Sequence, residues 1–107
     1  MTVKNPNKIT LAFQDFEGED CKFFFDKKNP SRELGVIYNH GRGQGYSASI
    51  FVNGAWSLEI PVGGFTTCAR AESACRKLFS DRQLLVNHIE SFRQELNNEI
   101  DLLSHSL

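Results

Sequence analysis

Residues 46–60, YSASIFVNGAWSLEI, decide how this chain folds. Asn53-Gly54 sits between two alternating apolar runs, and an Asn-Gly pair in that setting is the strongest short-range signal for a β-hairpin. Two turn geometries fit it. A two-residue turn pairs Val52 with Ala55, Phe51 with Trp56, Ser49 with Leu58 and Ser47 with Ile60, which mixes serine with large apolar groups on one face. A three-residue turn, Val52-Asn53-Gly54, with Gly54 left-handed in a bulge, pairs Phe51 with Ala55, Ile50 with Trp56, Ala48 with Leu58 and Tyr46 with Ile60. One face then becomes apolar (Tyr46, Ala48, Ile50, Trp56, Leu58, Ile60) and the other mostly polar (Ser47, Ser49, Ser57, Glu59, with Phe51). A one-residue slip moves every side chain to the opposite face, so hydrophobic consistency selects the bulged register. It predicts Trp56 in the core and Phe51 outside.

Upstream of the hairpin the chain also alternates with period two. Ile9, Leu11 and Phe13 share one face of a strand. The polar run Glu17-Gly18-Glu19-Asp20 is a turn, after which Cys21, Phe23 and Phe25 resume the alternation, with Lys22 and Phe24 opposite. Residues 27–33, KKNPSRE, interrupt the pattern; Pro30 lacks a ladder donor, so a loop or a single helical turn is expected. Residues 34–39 read as a short third strand, with Leu34, Val36 and Tyr38 in phase and Ile37 opposite. Residues 40–45, HGRGQG, form a loop whose glycines allow mobility.

After Pro61 the period changes to about 3.6 residues. Gly63-Gly64 is expected to break the strand, and Thr66 or Thr67 to cap a helix over about 66–79. Cys68, Ala71, Cys75, Leu78 and Phe79 fall on its apolar face. Ser80 followed by Gln83 matches a capping box and opens a second helix over about 81–104. Its apolar stripe is Leu85, Ile89, Phe92, Leu96, Ile100, Leu103 and Leu107, close to a heptad rhythm. At 1.5 Å per residue this helix is roughly 35 Å long, whereas a strand of five or six residues covers only ~17–20 Å. Its far end must therefore be covered by something other than the sheet, or fray. A homodimer through Phe92, Leu96, Ile100 and Leu103 is one solution.

The expected architecture is a single α+β domain over residues 1–107: a five-stranded antiparallel meander over about 8–61, followed by two C-terminal helices packed on one face. Composition agrees with a small soluble domain. The chain has 107 residues, 40% hydrophobic and 23% charged, with nine phenylalanines to fill a modest core. Twelve basic and thirteen acidic residues leave a net charge of −1, and neither half has the excess of cations that marks a polyanion-binding segment. No apolar window of about 18 residues exists to span a membrane, and the N-terminus has no signal-peptide core. Cys68 and Cys75 stand seven residues apart on a helix, a rise of roughly 10 Å, too far for a disulfide. Reduced thiols and a cytoplasmic location follow as the expectation.

Chemistry-bearing motifs are sparse. Gly41-Arg42-Gly43-Gln44-Gly45 superficially resembles a phosphate-cradling loop, but a strand follows it where such loops need a helix N-terminus. There is no Cys-x-x-Cys, no His-x-x-x-His and no nucleophile elbow, and His88 is placed as a partly buried helix residue. No catalytic residue, metal or cofactor is expected. The preferred expectation is a non-enzymatic protein-binding module, an adaptor, inhibitor or regulatory subunit. Its partner would be another protein, met through the long helix or through Phe24, Ile37 and Phe51 on the uncovered sheet face. On this reading, exchanging Phe24 and Phe51 for serine leaves the fold intact. The alternative is a nucleic-acid-binding regulator using Lys27, Lys28, Arg32 and Arg42, with outer-face aromatics stacking on bases.

Overall fold

The computed structural model describes residues 9–15, 21–52 and 58–106. Five strands form one antiparallel sheet in sequence order: β1 (Leu11–Asp15), β2 (Cys21–Asp26), β3 (Asn29–Asn39), β4 (Tyr46–Phe51) and β5 (Glu59–Phe65). Two helices follow, α1 (Cys68–Leu78) and α2 (Arg82–Ser106). This is the α+β meander with C-terminal helices that the period change after Pro61 predicts.

The inward face is handed from strand to strand by register, because directly opposed residues of antiparallel strands point to the same side. Leu11 and Phe13 on β1 start it, and Phe13 lies opposite Phe24. Phe24 faces Gly35, Ile37 faces Ala48, and Ile50 faces both Gly35 and Ile60. Ala71 and Cys75 of α1 and Phe79 at its end close over this face, and the whole set is buried as one core. Phe24 sits at its centre, with ring centroids 5.6 Å from Phe13 and 5.9 Å edge-on from Phe79.

That path corrects the facing of two strands. Phe24 is 0% exposed and Ile37 1% exposed, both beneath the helices, so neither lies on the uncovered face. Phe23, Val36 and Phe51 hold the outer face instead, as a second small cluster with the Phe23 and Phe51 rings 6.1 Å apart. Phe51 is on the sheet face away from the helices, but it is buried there, 8% exposed, rather than open to a partner. The cause of the changed facing is Gly35. A Cβ built there would lie 2.2 Å from the Phe24 ring and 2.3 Å from the Ser49 carbonyl oxygen. The missing side chain is the space that the Phe24 ring occupies. Replacing Phe24 by serine therefore opens the core and cannot leave the fold intact.

Strand boundaries also differ from the expectation. β3 begins at Asn29, where a loop was expected, and Pro30 lies within it. β4 pairs with β3 only from Gly35 onward, so the missing Pro30 N–H costs no bond on that side. Phe24 and Phe25 face Gly35 and Glu33, leaving Leu34 as the extra residue of a bulge, and its side chain joins the main core. β5 runs through Gly63-Gly64 to Phe65, with a second bulge at Val62 between the Ala48–Gly63 and Ser49–Pro61 pairs.

The β4–β5 connection follows neither expected register. Ile50 pairs with Ile60, Phe51 with Glu59, and the Val52 N–H donates to the Leu58 carbonyl at 2.8 Å. Five residues separate Val52 from Leu58, more than either turn requires. The core chooses Ile60 as the inward partner of Ile50, and Leu58 is left exposed. Asn53-Gly54 and Trp56, with the expectation that Trp56 enters the core, lie outside the described residues. So do the acidic turn 17–20 and Leu107.

Candidate protein-binding surface

Helix α1 opens on Thr67, whose side chain accepts from the Arg70 N–H at 3.2 Å. It closes at Phe79, whose carbonyl accepts the Ile9 N–H and ties the chain's first described residue to the helix end. The chain then turns into α2. Ser80 does not form the expected capping box; its hydroxyl donates to the Lys77 carbonyl. Asp81 is the cap, accepting the Gln83 N–H at 2.7 Å.

Among the described residues, only the N-terminal half of α2 packs against the core. Leu85 and Phe92 pack against the main core, and His88 Nε2 donates to the Pro61 carbonyl at 2.8 Å. An open groove of about 370 Å³ runs between Val62, Leu78, Leu84 and His88. Beyond Phe92 the same stripe continues into solvent. Leu96 is 41% exposed, Ile100 57% and Leu103 58%. From Leu85 to Leu103 the stripe takes five steps over 18 residues, 3.6 per step, so it runs straight along an undistorted helix without heptad drift. The four positions expected to form a dimer helix thus divide: Phe92 is anchored on its own body, while Leu96, Ile100 and Leu103 have no cover among the described residues.

The basic residues do not converge. Lys27 and Lys28 occupy the β2–β3 turn and Arg32 lies early in β3, whereas Arg42 sits in the β3–β4 loop. The eleven residues of β3 separate those ends by on the order of 30 Å. The glycine loop is a closed turn in which Gln44 N–H donates to the Gly41 carbonyl and His40 N–H to the Gly45 carbonyl. Arg42 holds a left-handed φ of 42° at its tip.

A polar cluster that the alternation did not reveal joins β2 to α1. Lys22 Nζ donates to Glu72 Oε2 at 3.0 Å and lies 3.8 Å from Asp15, its cross-strand neighbour. Glu72 also accepts from the Cys68 thiol at 3.3 Å and pairs with Arg76 at 3.6 Å. The Arg76 guanidinium in turn lies 4.6 Å over the Phe13 ring. The bond to Glu72 raises the Lys22 pKa despite partial burial. Burial pushes Glu72 up, but Lys22, Cys68 and Arg76 outweigh it and the carboxyl ends below its usual range. Burial raises the Cys68 thiol, and burial takes Cys75 to about 12. Lysine is thus held charged, glutamate ionised and both thiols protonated, an arrangement that clamps helix to sheet. The cluster borders a cavity of about 240 Å³ that Cys21, Asn39 and Tyr46 also line. Lys22 itself was the available signal: a lone cation in phase with the inward Phe24.

On the outer face, burial and then a 2.9 Å hydrogen bond to Glu59 raise Tyr38 to about 12. Among the described residues no group of three or more His, Cys, Asp or Glu side chains is placed to hold a metal, and no helix is long and apolar enough to cross a membrane. No protein-family model, curated protein or solved structure matches the chain.

Proposed function

We propose that this protein is a non-enzymatic protein-binding module, an adaptor, inhibitor or regulatory subunit, that engages its partner along the C-terminal half of α2. The observation that carries the reading is one stripe in two environments: Leu85 and Phe92 dock on the chain's own core with Ile89 between them 36% exposed, and Leu96, Ile100 and Leu103 extend the same line at 41–58% exposed. Full burial of a leucine-class side chain is worth about 1.5–3 kcal/mol, so covering three of them supplies a substantial driving force. The sheet's outer face supports the reading less, since Phe24 and Ile37 are interior and Phe23, Val36 and Phe51 are largely buried among themselves. The nucleic-acid alternative loses support because its cations lie at opposite ends of β3. Cys68 and Cys75, protonated thiols outside any disulfide, favour a cytoplasmic setting.

Affinity purification from the protein's own cells, with wild-type chain and with an Ile100→Ser/Leu103→Ser variant, tests the proposal. Both positions are exposed, so near-UV circular dichroism of the variant should match wild type. A co-purifying protein retained by wild type and lost from the variant is the expected result. An identical set of partners on both would sink the reading.

A further inference from the structure

The flanks of the exposed stripe say what kind of partner fits it. Glu95 and Glu99 stand four residues apart on one side of the Leu96–Ile100–Leu103 line, and Asp101 lies toward the far face of the helix. After Arg93, which is already paired with Glu90 at 2.9 Å, residues 94–107 contain no lysine or arginine. Among the described residues neither Glu95, Glu99 nor Asp101 forms an ion pair. The arrangement works against the isolated helix, because like charges at i,i+4 repel. A local sequence choice that opposes its own element points to a compensation supplied from outside.

A second copy does not supply it. In an antiparallel helix pair like flank meets like flank, which sets Glu95 and Glu99 against the same two residues of the other copy. In a parallel pair Glu99 meets Ser104, again without a cation. Resting on the protein-binding reading above, we propose that the occupant of the exposed half of α2 is a basic amphipathic helix of another protein. Its apolar face would cover Leu96, Ile100 and Leu103, and its lysines or arginines would lie along Glu95 and Glu99.

Two helical probe peptides of ~20 residues test this against the full chain. Both carry the same leucine stripe, one flanked by lysine and the other by glutamate. Fluorescence anisotropy should show the lysine peptide binding at least about tenfold tighter than the glutamate peptide, with that advantage shrinking from ~50 mM to ~500 mM salt. Glu95→Lys/Glu99→Lys should reverse the preference, and light scattering should give a monomer at the assay concentration. Equal binding of both peptides overturns the charge-matched partner while leaving the stripe as a docking site. A dimer that excludes both peptides overturns it in favour of a second copy. Binding of neither peptide by a monomer also overturns it, and the affinity purification then decides the protein-binding reading separately.

Discussion

At Gly35 the absence of one carbon atom organises the core. Any side chain there must displace either the Phe24 ring or the backbone of β4, because the built Cβ falls 2.2 Å from one and 2.3 Å from the other. Gly35→Ala is therefore expected to destabilise the fold by about 1–3 kcal/mol or more, in the manner of overpacked cores. Urea denaturation measures it, and a variant as stable as wild type would mean that Phe24 does not lie where its burial places it. The Lys22–Glu72 pair makes a second prediction at this scale. The folded carboxyl titrates below its ordinary 4.5, so as the pH falls the unfolded chain takes the proton first. The stability from Glu72 is complete above pH 4.5 and is lost as the pH drops through the lower folded value. Lys22 behaves oppositely: its contribution holds below 10.5 and is lost as the pH rises through its higher folded value. Glu72→Gln should cost about 1.5–3 kcal/mol at neutral pH, the range for a hydrogen bond to a charged group. It should also make the acid limb of a urea-midpoint-against-pH curve shallower than wild type. An unchanged acid limb would remove Glu72 from the account.

At the scale of elements, α2 is one helix in backbone with two environments. Its first half is held by Leu85, His88 and Phe92, and its second half buries little of itself. Deleting residues 95–107 should shorten the helical signal in far-ultraviolet circular dichroism yet change unfolding free energy by no more than ~1 kcal/mol, since exposed positions contribute little to stability. A loss well beyond that would show the distal half to be part of the folded body. Helix positions were legible because a 3.6 period is a local property, carried by Cys68, Ala71 and Cys75 and by the α2 stripe whatever they pack against. The strands were harder. Leu11, Phe13, Ala48 and Ile50 were legible as an inward set, since polar neighbours stand on the other side. In β2 apolar residues occupy both faces: Cys21, Phe23 and Phe25 outnumber Phe24, yet Phe24 is the one at the centre of the core. In β3 the same majority argument favours Leu34, Val36 and Tyr38 over Ile37, and there a bulge at Leu34 breaks the phase as well.

Over the whole molecule, the projecting half of α2 dominates the shape. The radius of gyration is 15.6 Å, against about 13 Å for a compact chain of this length, and the longest dimension is 56 Å. Three of the chain's thirteen acidic residues, Glu95, Glu99 and Asp101, lie on that projection, and no lysine or arginine follows Arg93, so the helix around the open stripe carries one sign of charge. The order of elements, the switch from strands to helices in the last third, the two helices and the apolar stripe from Leu85 to Leu103 were all determined by the sequence alone, because alternation and helical spacing involve neighbours within a few residues. The switch itself comes after Phe65 rather than Pro61. Which face of β2 and β3 turns inward, where β4 meets β5, and how far α2 stays on the body were decided only by the tertiary structure. Period-two alternation says which side chains share a face, not which face is covered. That choice depends on contacts distant in sequence, of Phe24 with Gly35, Ile50 with Ile60 and Lys22 with Glu72.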